Sequence, residues 1–300
     1  MNGVLILDKP QGFTSFDAVA LMRRLCREKK IGHTGTLDPM ATGVLPVLLG
    51  SGTRAIPFLE DTDKEYEAEF ALGIRTDTGD RTGQVVETSE NAVSGDRLRA
   101  ALPAFCGPIW QIPPMYSAVS VNGQRLYQLA RQGKEIERPA RPVNIFRLEL
   151  LGYEEKTRTG RLRIRCSKGT YVRVLIEDIA KACGCVGCMT GLRRTVACGF
   201  TLSQAVSVEQ MRALAEKGEV HTAIRPVESL FSSWGDVRVT AAQARRFQNG
   251  GALLRERLPH VLPTEMGRRR VYGPQGEFLG LGELREQELA VLRLFPQREE

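Results

Sequence analysis

The sequence predicts an α+β fold: a mostly antiparallel mixed sheet with helices set apart from it, followed by a small C-terminal domain. Three observations carry this. Apolar residues alternate in several segments, most clearly in "EYEAEFALG", where Tyr66, Ala68, Phe70 and Leu72 share one side of a half-buried strand. Elsewhere the apolar period is helical, and the capping boxes Thr14-x-x-Asp17 and Ser207-x-x-Gln210 open such stretches. Strands and helices segregate rather than alternate as βαβ units, which argues against a doubly wound parallel sheet. With 300 residues, 42% hydrophobic and 26% charged, the chain can bury a sizeable core.

Taken in order, "VLIL" (Val4 to Leu7) reads as a buried strand running into the turn-rich "DKPQGFTS". A helix follows, with Ala18, Leu21, Met22 and Leu25 on one face and Arg23, Arg24, Arg27, Lys29 and Lys30 in its last turn. After "EYEAEFALG" comes the loop "GIRTDTGDRTG" and a strand at "QVVET", then a short helix at "DRLRAALPAF" presenting Leu98, Leu102 and Phe105. Residues 111–142, rich in Pro, Gly and Arg, form a basic excursion with one helical piece near Leu126 to Ala130. "FRLELLGYEE" and "GRLRIRCSKG" are two further strands. Beyond Gly169 and Thr170 the period turns helical, with Val172, Leu175, Ile176, Ile179 and Ala180 on one face. The chain restarts near Trp234, with a helix at "TAAQARRFQNGG" and strand-like runs at "RRRVYG", "EFLGLGEL" and "LAVLRLF". That places one domain at 1–232 and a second at 233–300.

The 42 Lys and Arg exceed the 35 Asp and Glu by seven, a balance that attracts a polyanion and is also compatible with a merely basic soluble protein. No apolar run reaches the roughly 18–20 residues that span a membrane. "MNGVLILDKPQG" lacks the basic flank and length of a signal peptide, so a cytoplasmic location is expected. Seven cysteines without a secretory signal point to reduced thiols. Cys183, Cys185, Cys188 and Cys198 are spaced C-x-C-x-x-C with a later Cys and no nearby His, which fits buried apolar residues better than a zinc knuckle. No metal is expected. No internal repeat or low-complexity stretch is present.

The stretch "GHTGTLDPMATGVLPVLLG", Gly32 to Gly50, sets the carboxylate of Asp38 among glycines and prolines. Asp38 followed by Pro39 suits a helix N-cap or a turn, and it equally suits a carboxylate presented from a shaped loop. The stretch resembles the signature of TruB-type tRNA pseudouridine synthases. The other landmarks stand in the family's order: "LDKPQGFTS", "DKEYEAEFALGIRTDTGD", "IPPMYSA" with "YQLARQG", "CSKGTYVRVL" and "LRRTVACGF". The resemblance covers about residues 1–230. More faintly, "VYGPQGEFLGLGEL" is similar to part of a PUA-type RNA-binding domain.

The resemblance implies a pseudouridine synthase-like catalytic domain followed by a PUA-like domain. It implies isomerisation of a uridine in the tRNA T loop, at the conventional position 55, to pseudouridine. An alternative is a non-catalytic tRNA-binding or tRNA-folding protein on the same scaffold. The chemistry moves the bond from N1 to C5 within one nucleoside, so no cofactor is required. Asp38 is the implied nucleophile, towards either the base or C1′. Tyr66, otherwise a core aromatic, is implied to pack on the base and to take the C5 proton; an ordinary phenol, with a pKa near 10, is a poor base at neutral pH. Arg173, otherwise a surface arginine off the apolar stripe, is implied to pair with Asp38. His33 is implied to hold the flipped-out nucleotide, Tyr171 and Leu192 to close the pocket, and Lys9 to contact substrate. The expected partner is the tRNA T arm, with no protein partner implied and a monomer expected. Ser120 departs from the family, which often has Lys there; Arg125, Arg131, Lys134, Arg138 and Arg141 stand near enough to compensate in an excursion expected to be mobile until RNA docks.

Overall fold

The computed structural model describes residues 1–60, 62–117, 119–121, 123–130, 132–259, 261–262 and 264–295. The chain opens with β1 (Gly3–Lys9), α1 (Ser15–Leu25), β2 (Ile31–His33) and β3 (Thr42–Leu49). It continues through β4 (Lys64–Leu72), β5 (Ile74–Thr76), β6 (Val85–Thr88), α2 (Gly95–Ala101) and β7 (Gly107–Gln111). The excursion holds the small hairpin β8 (Ser120–Val121) and β9 (Gln124–Arg125), then α3 (Leu126–Ala130). After it come β10 (Arg141–Glu154), β11 (Thr159–Cys166), α4 (Val172–Ala182) and β12 (Gly187–Ala197). Then β13 (Phe200–Thr201), α5 (Val208–Lys217) and β14 (Ile224–Arg225) close the first part. The second part consists of β15 (Gly235–Arg238), α6 (Ala241–Gln248), β16 (Leu253–Leu254), β17 (Gly267–Tyr272), β18 (Phe278–Leu284) and β19 (Glu288–Leu294).

Ten strands form one sheet along the path β14-β1-β3-β12-β4-β11-β10-β7, with β2 and β13 paired at its side. Its pairings are antiparallel except where β12 meets β3, at Arg193 with Thr42 and Arg194 with Gly43. A second sheet, β15-β17-β18-β19-β16, carries the C-terminal part. Period-2 patterning places the buried Tyr66, Ala68, Phe70 and Leu72 of β4 under α4, whose Leu175, Ile176, Ile179 and Ala180 complete the main core. On β1 and β3, Leu5, Leu7, Leu45, Val47 and Leu49 pack with α1 and α5. Both predicted capping boxes form: the Thr14 hydroxyl accepts from Asp17 N at 3.0 Å, and Ser207 accepts from Gln210 N at 3.2 Å.

Of the helix N-cap and the turn that Asp38-Pro39 suited, the structure has the turn, with Ala41 N donating to Asp38 O at 3.0 Å before the chain enters β3. Three details differ from the expectations. α1 ends at Leu25, so Arg27, Lys29 and Lys30 lie beyond its last turn, and Arg27 takes a left-handed φ of 49°. The segment "DRLRAALPAF" is helical only to Ala101, with a 3₁₀ turn continuing over Leu102–Phe105. The central strands β3 and β12 were not among the predicted elements.

Candidate active site

The loop between β2 and β3 presents Asp38, and its neighbours on either side are tied down. Leu37 is buried; its N–H donates to Ser15 Oγ at 2.8 Å, and its carbonyl accepts from the same hydroxyl at 3.2 Å. The carbonyl of Pro39 accepts from Gly12 N at 2.8 Å and from Lys9 Nζ at 3.5 Å. Lys9 is fully buried and also donates to the carbonyls of Pro10 and Phe13, at 3.0 and 2.5 Å. These contacts hold Lys9 against the backbone of the Asp38 loop. Burial pushes its ammonium down to about 8, with Asp38 pulling the other way.

Opposite the loop, α4 supplies Arg173 from its first turn. The side chain is 6% exposed, far from the solvated arginine its position off the apolar stripe allowed. Nη2 stands 3.1 Å from Asp38 Oδ2 and donates to Tyr116 O at 2.9 Å; Nη1 donates to Thr78 O at 2.8 Å. A second carboxylate, Asp80, approaches Nη1 at 3.8 Å. Asp80 is locked in place: its Oδ1 accepts from Thr78 Oγ1 (3.0 Å), Thr82 N (2.9 Å) and Thr82 Oγ1 (2.6 Å). Its flanks are stitched to β12, with Met189 N donating to Gly79 O at 3.0 Å and Arg81 N to Met189 O at 2.9 Å. One buried guanidinium thus joins two carboxylates and two carbonyls. Burial raises the Asp38 carboxyl above the ordinary aspartate value; Arg173 lowers it and Asp80 adds to the rise.

A cavity of about 340 Å³ opens beside this pair, lined by Asp38, Arg173, Tyr66, Tyr171, Leu192 and Lys64 among others. That volume lies at the small end of small-molecule sites. Tyr66 is buried, which drives its phenol up to about 12 while the neighbouring Arg194 pulls it part of the way back. Tyr171 caps α4, its N–H donating to Gln111 Oε1 at 2.9 Å and its carbonyl accepting from Gln111 Nε2 at 3.3 Å. His33 lies outside this cavity, in a larger adjoining groove that shares Asp38 and Arg173 and adds Phe16, Arg125 and Tyr127. Burial first, then Arg194, lowers the imidazole pKa, so His33 is neutral at pH 7.

The sequence reading had no role for Asp80, Lys64 or Arg194. Asp80 was visible only as the last carboxylate of "RTDTGD", flanked by the threonines that bind it. Cys183 and Cys185 belong to the main apolar core, and Cys188 is buried on β12. Among the described residues no group of three or more His, Cys, Asp or Glu could hold a metal ion. In the excursion, Arg125 lines the groove, Lys134 and Arg141 are exposed, and Arg138 bends back to donate to Ile136 O at 2.8 Å. Arg131 lies outside the described residues. No described helix is long and apolar enough to cross a membrane.

Comparison with known proteins agrees along the whole chain. Residues 23–172 match the TruB family pseudouridylate synthase N-terminal domain, residues 173–232 the tRNA pseudouridylate synthase B C-terminal domain, and residues 235–295 the pseudouridine synthase II TruB C-terminal region. A tRNA pseudouridine synthase B of Aromatoleum aromaticum is 46% identical over 94% of this chain and 89% of its own length. That of Cupriavidus metallidurans is 43% identical over 98% and 94%. Among solved structures, a chain of a Cbf5–Nop10–Gar1 complex superposes with a TM-score of 0.72 at 25% identity, over 98% of this chain and 84% of its own.

Proposed function

The chain belongs to the TruB family of pseudouridylate synthases and is a tRNA pseudouridine synthase, an isomerase, and from that premise we propose that it converts the T-loop uridine at conventional position 55, with Asp38 as nucleophile. The observation that carries this is the Asp38–Arg173 pair at 3.1 Å on the wall of a cavity of about 340 Å³, room for one base with its ribose. A duplex or folded loop does not admit such a site, so the uridine must be everted, at a cost of a few kcal/mol. Tyr66, Tyr171 and Leu192 supply replacement contacts to the base, and His33 in the adjoining groove meets the neighbouring nucleotides as a neutral donor or acceptor.

Asp38 attacks C6 of the base or C1′ of the ribose, and the N1–C1′ bond breaks. The uracil turns within the cavity, C5 bonds to C1′, the bond to Asp38 breaks and returns its electron pair to the carboxylate, C5 loses its proton, and N1 takes one up. Atoms and electrons balance within a single nucleoside. Arg173 keeps the carboxylate ionised and aimed. Tyr66, a neutral phenol at pH 7, serves first as the packing surface. It can accept the C5 proton only if its own proton leaves in the same step. The second part, 233–300, is read as a PUA-like RNA-binding domain that adds tRNA contacts beyond the T loop.

The test uses tRNA labelled with tritium at uracil C5. Wild type should release tritium and form pseudouridine at position 55, while Asp38→Asn, which keeps size and turn chemistry, should release none. Tight tRNA binding without release by wild type would favour the folding-protein alternative, and an active Asp38→Asn would remove the nucleophile assignment.

A further inference from the structure

Asp38 and Arg173 form one polar pole of the cavity, and a second pole, among the described residues, is cationic. Lys64 opens β4 two residues before Tyr66, on the same face, and lines the cavity. It converges with Arg194 on Gly35, where a Cβ would lie 3.3 Å from Lys64 Cε, 3.7 Å from its Nζ and 3.8 Å from Arg194 Nη1. A side chain at Gly35 would press on the flexible end of Lys64, which would have to give way by a few tenths of an ångström. Arg194 is fully buried and immobilised, its Nε donating to Val44 O at 2.7 Å and Nη2 to Gly35 O at 3.2 Å.

Among the described residues nothing accepts a hydrogen bond from Lys64 Nζ. Its charged neighbours Arg194 and Lys168 repel it, while the thiols of Cys166 and Cys198 act the other way. The adjoining carboxylates are engaged elsewhere: Glu65 Oε1 accepts from Thr195 Oγ1 at 3.0 Å, and Asp63 pairs with Arg165 at 3.6 Å. Burial and Arg194 together lower the ammonium pKa. A half-buried cation beside another cation is unfavourable unless an anionic acceptor arrives.

The reaction proposed above supplies one. If the N1–C1′ bond pair leaves with the base, negative charge spreads over O2 and O4 of the uracil. If Asp38 first adds to C6, the charge falls on O4. By either route a ring carbonyl gains charge that is discharged when C5 bonds to C1′, and the pair left when the C5 proton departs is taken up by protonation at N1. Resting on that reading, we infer that Lys64 is a catalytic residue that donates a hydrogen bond to a uracil carbonyl oxygen as that oxygen becomes anionic. Lys64 keeps its proton throughout, and Arg194, anchored to two backbone carbonyls, adds positive potential from behind.

The experiment is single-turnover tritium release at saturating tRNA, with uridine, 2-thiouridine or 4-thiouridine at the target and with wild type, Lys64→Met and Lys64→Arg. Sulfur accepts hydrogen bonds poorly, so it weakens the contact at whichever oxygen it replaces. Lys64→Met should slow release about 100-fold, the usual cost of losing one oxyanion donor, with tRNA affinity within about twofold, and Lys64→Arg should restore part of the rate. Sulfur at the contacted oxygen should slow wild type and add little to the Lys64→Met defect. A Lys64→Met enzyme at wild-type rate, or equal sulfur penalties in both enzymes at both oxygens, overturns the assignment. If the Met variant fails to fold by circular dichroism, Lys64→Leu carries the same comparison. Wild type that releases no tritium would instead overturn the isomerisation reading itself.

Discussion

The surroundings of Asp38 shift it towards its neutral form. Burial favours the protonated carboxyl, the nearby Asp80 adds to that, and Arg173 is the main opposing cation. The proposed nucleophile must be ionised to attack, so activity should be lost as pH falls through its pKa. Since that pKa is raised, the acid limb of the single-turnover profile should lie above the ordinary aspartate value of about 4. Arg173→Lys loses the planar fork that reaches Asp38 at 3.1 Å, Tyr116 O and Thr78 O together. It should lower the plateau rate and move the acid limb further up, which a pH profile of tritium release will show. An unmoved limb would mean that Arg173 does not set the ionisation of Asp38. The pairing of these two residues came from the family resemblance; spacing alone left Arg173 a surface residue, because a helix position says nothing about a partner some 135 residues away in sequence.

At the scale of elements, the strands with plain alternation were legible and the two central ones were not. β4 announces itself through Tyr66, Ala68, Phe70 and Leu72, and all are buried. β3 holds Pro46 and Gly43, residues that normally argue against an inner strand. They are tolerated because β12 pairs with β3 only at Thr42 and Gly43, and β2 only from Val47 to Leu49, leaving Pro46 between the two partners. β12 was hidden by Gly187 and Gly191 and by Arg194, a fully buried arginine where a sequence pattern reads a polar, outward residue. Gly43 is the joint of this arrangement. Its φ is 105°, and a Cβ there would run into the backbone of Arg194. Gly43→Ala should cost about 2–3 kcal/mol through backbone strain and displacement of β12, lowering the thermal midpoint by several degrees; an unchanged midpoint would show that the parallel pairing is dispensable.

Across the whole molecule, the two sheets share an apolar cluster in which Leu48 and Ala55 meet Trp234, Phe278, Leu281 and Phe295. Glu60 fastens its edge, accepting from Trp234 Nε1 at 2.9 Å and from Arg268 Nη1 at 2.9 Å, with Arg268 lying over the indole at 5.4 Å. Trp234 is buried, so Glu60→Ala leaves its N–H unpaired and should destabilise the protein by about 1–2 kcal/mol. Denaturant unfolding in a Trp110→Phe background, where emission reports Trp234 alone, measures this directly. No loss, with unchanged emission, would mean that the apolar cluster suffices without Glu60.

Arg173 has one further consequence. Its Nη2 holds Asp38 and, at 2.9 Å, the carbonyl of Tyr116 at the head of the basic excursion. Five residues earlier, Gln111 clasps the backbone of Tyr171, the residue that begins the helix bearing Arg173. The head of the excursion and the proposed nucleophile therefore hang from one guanidinium. On the proposed reading, an RNA that shifts the backbone at Tyr116 as it docks should be felt at Asp38 through that shared contact.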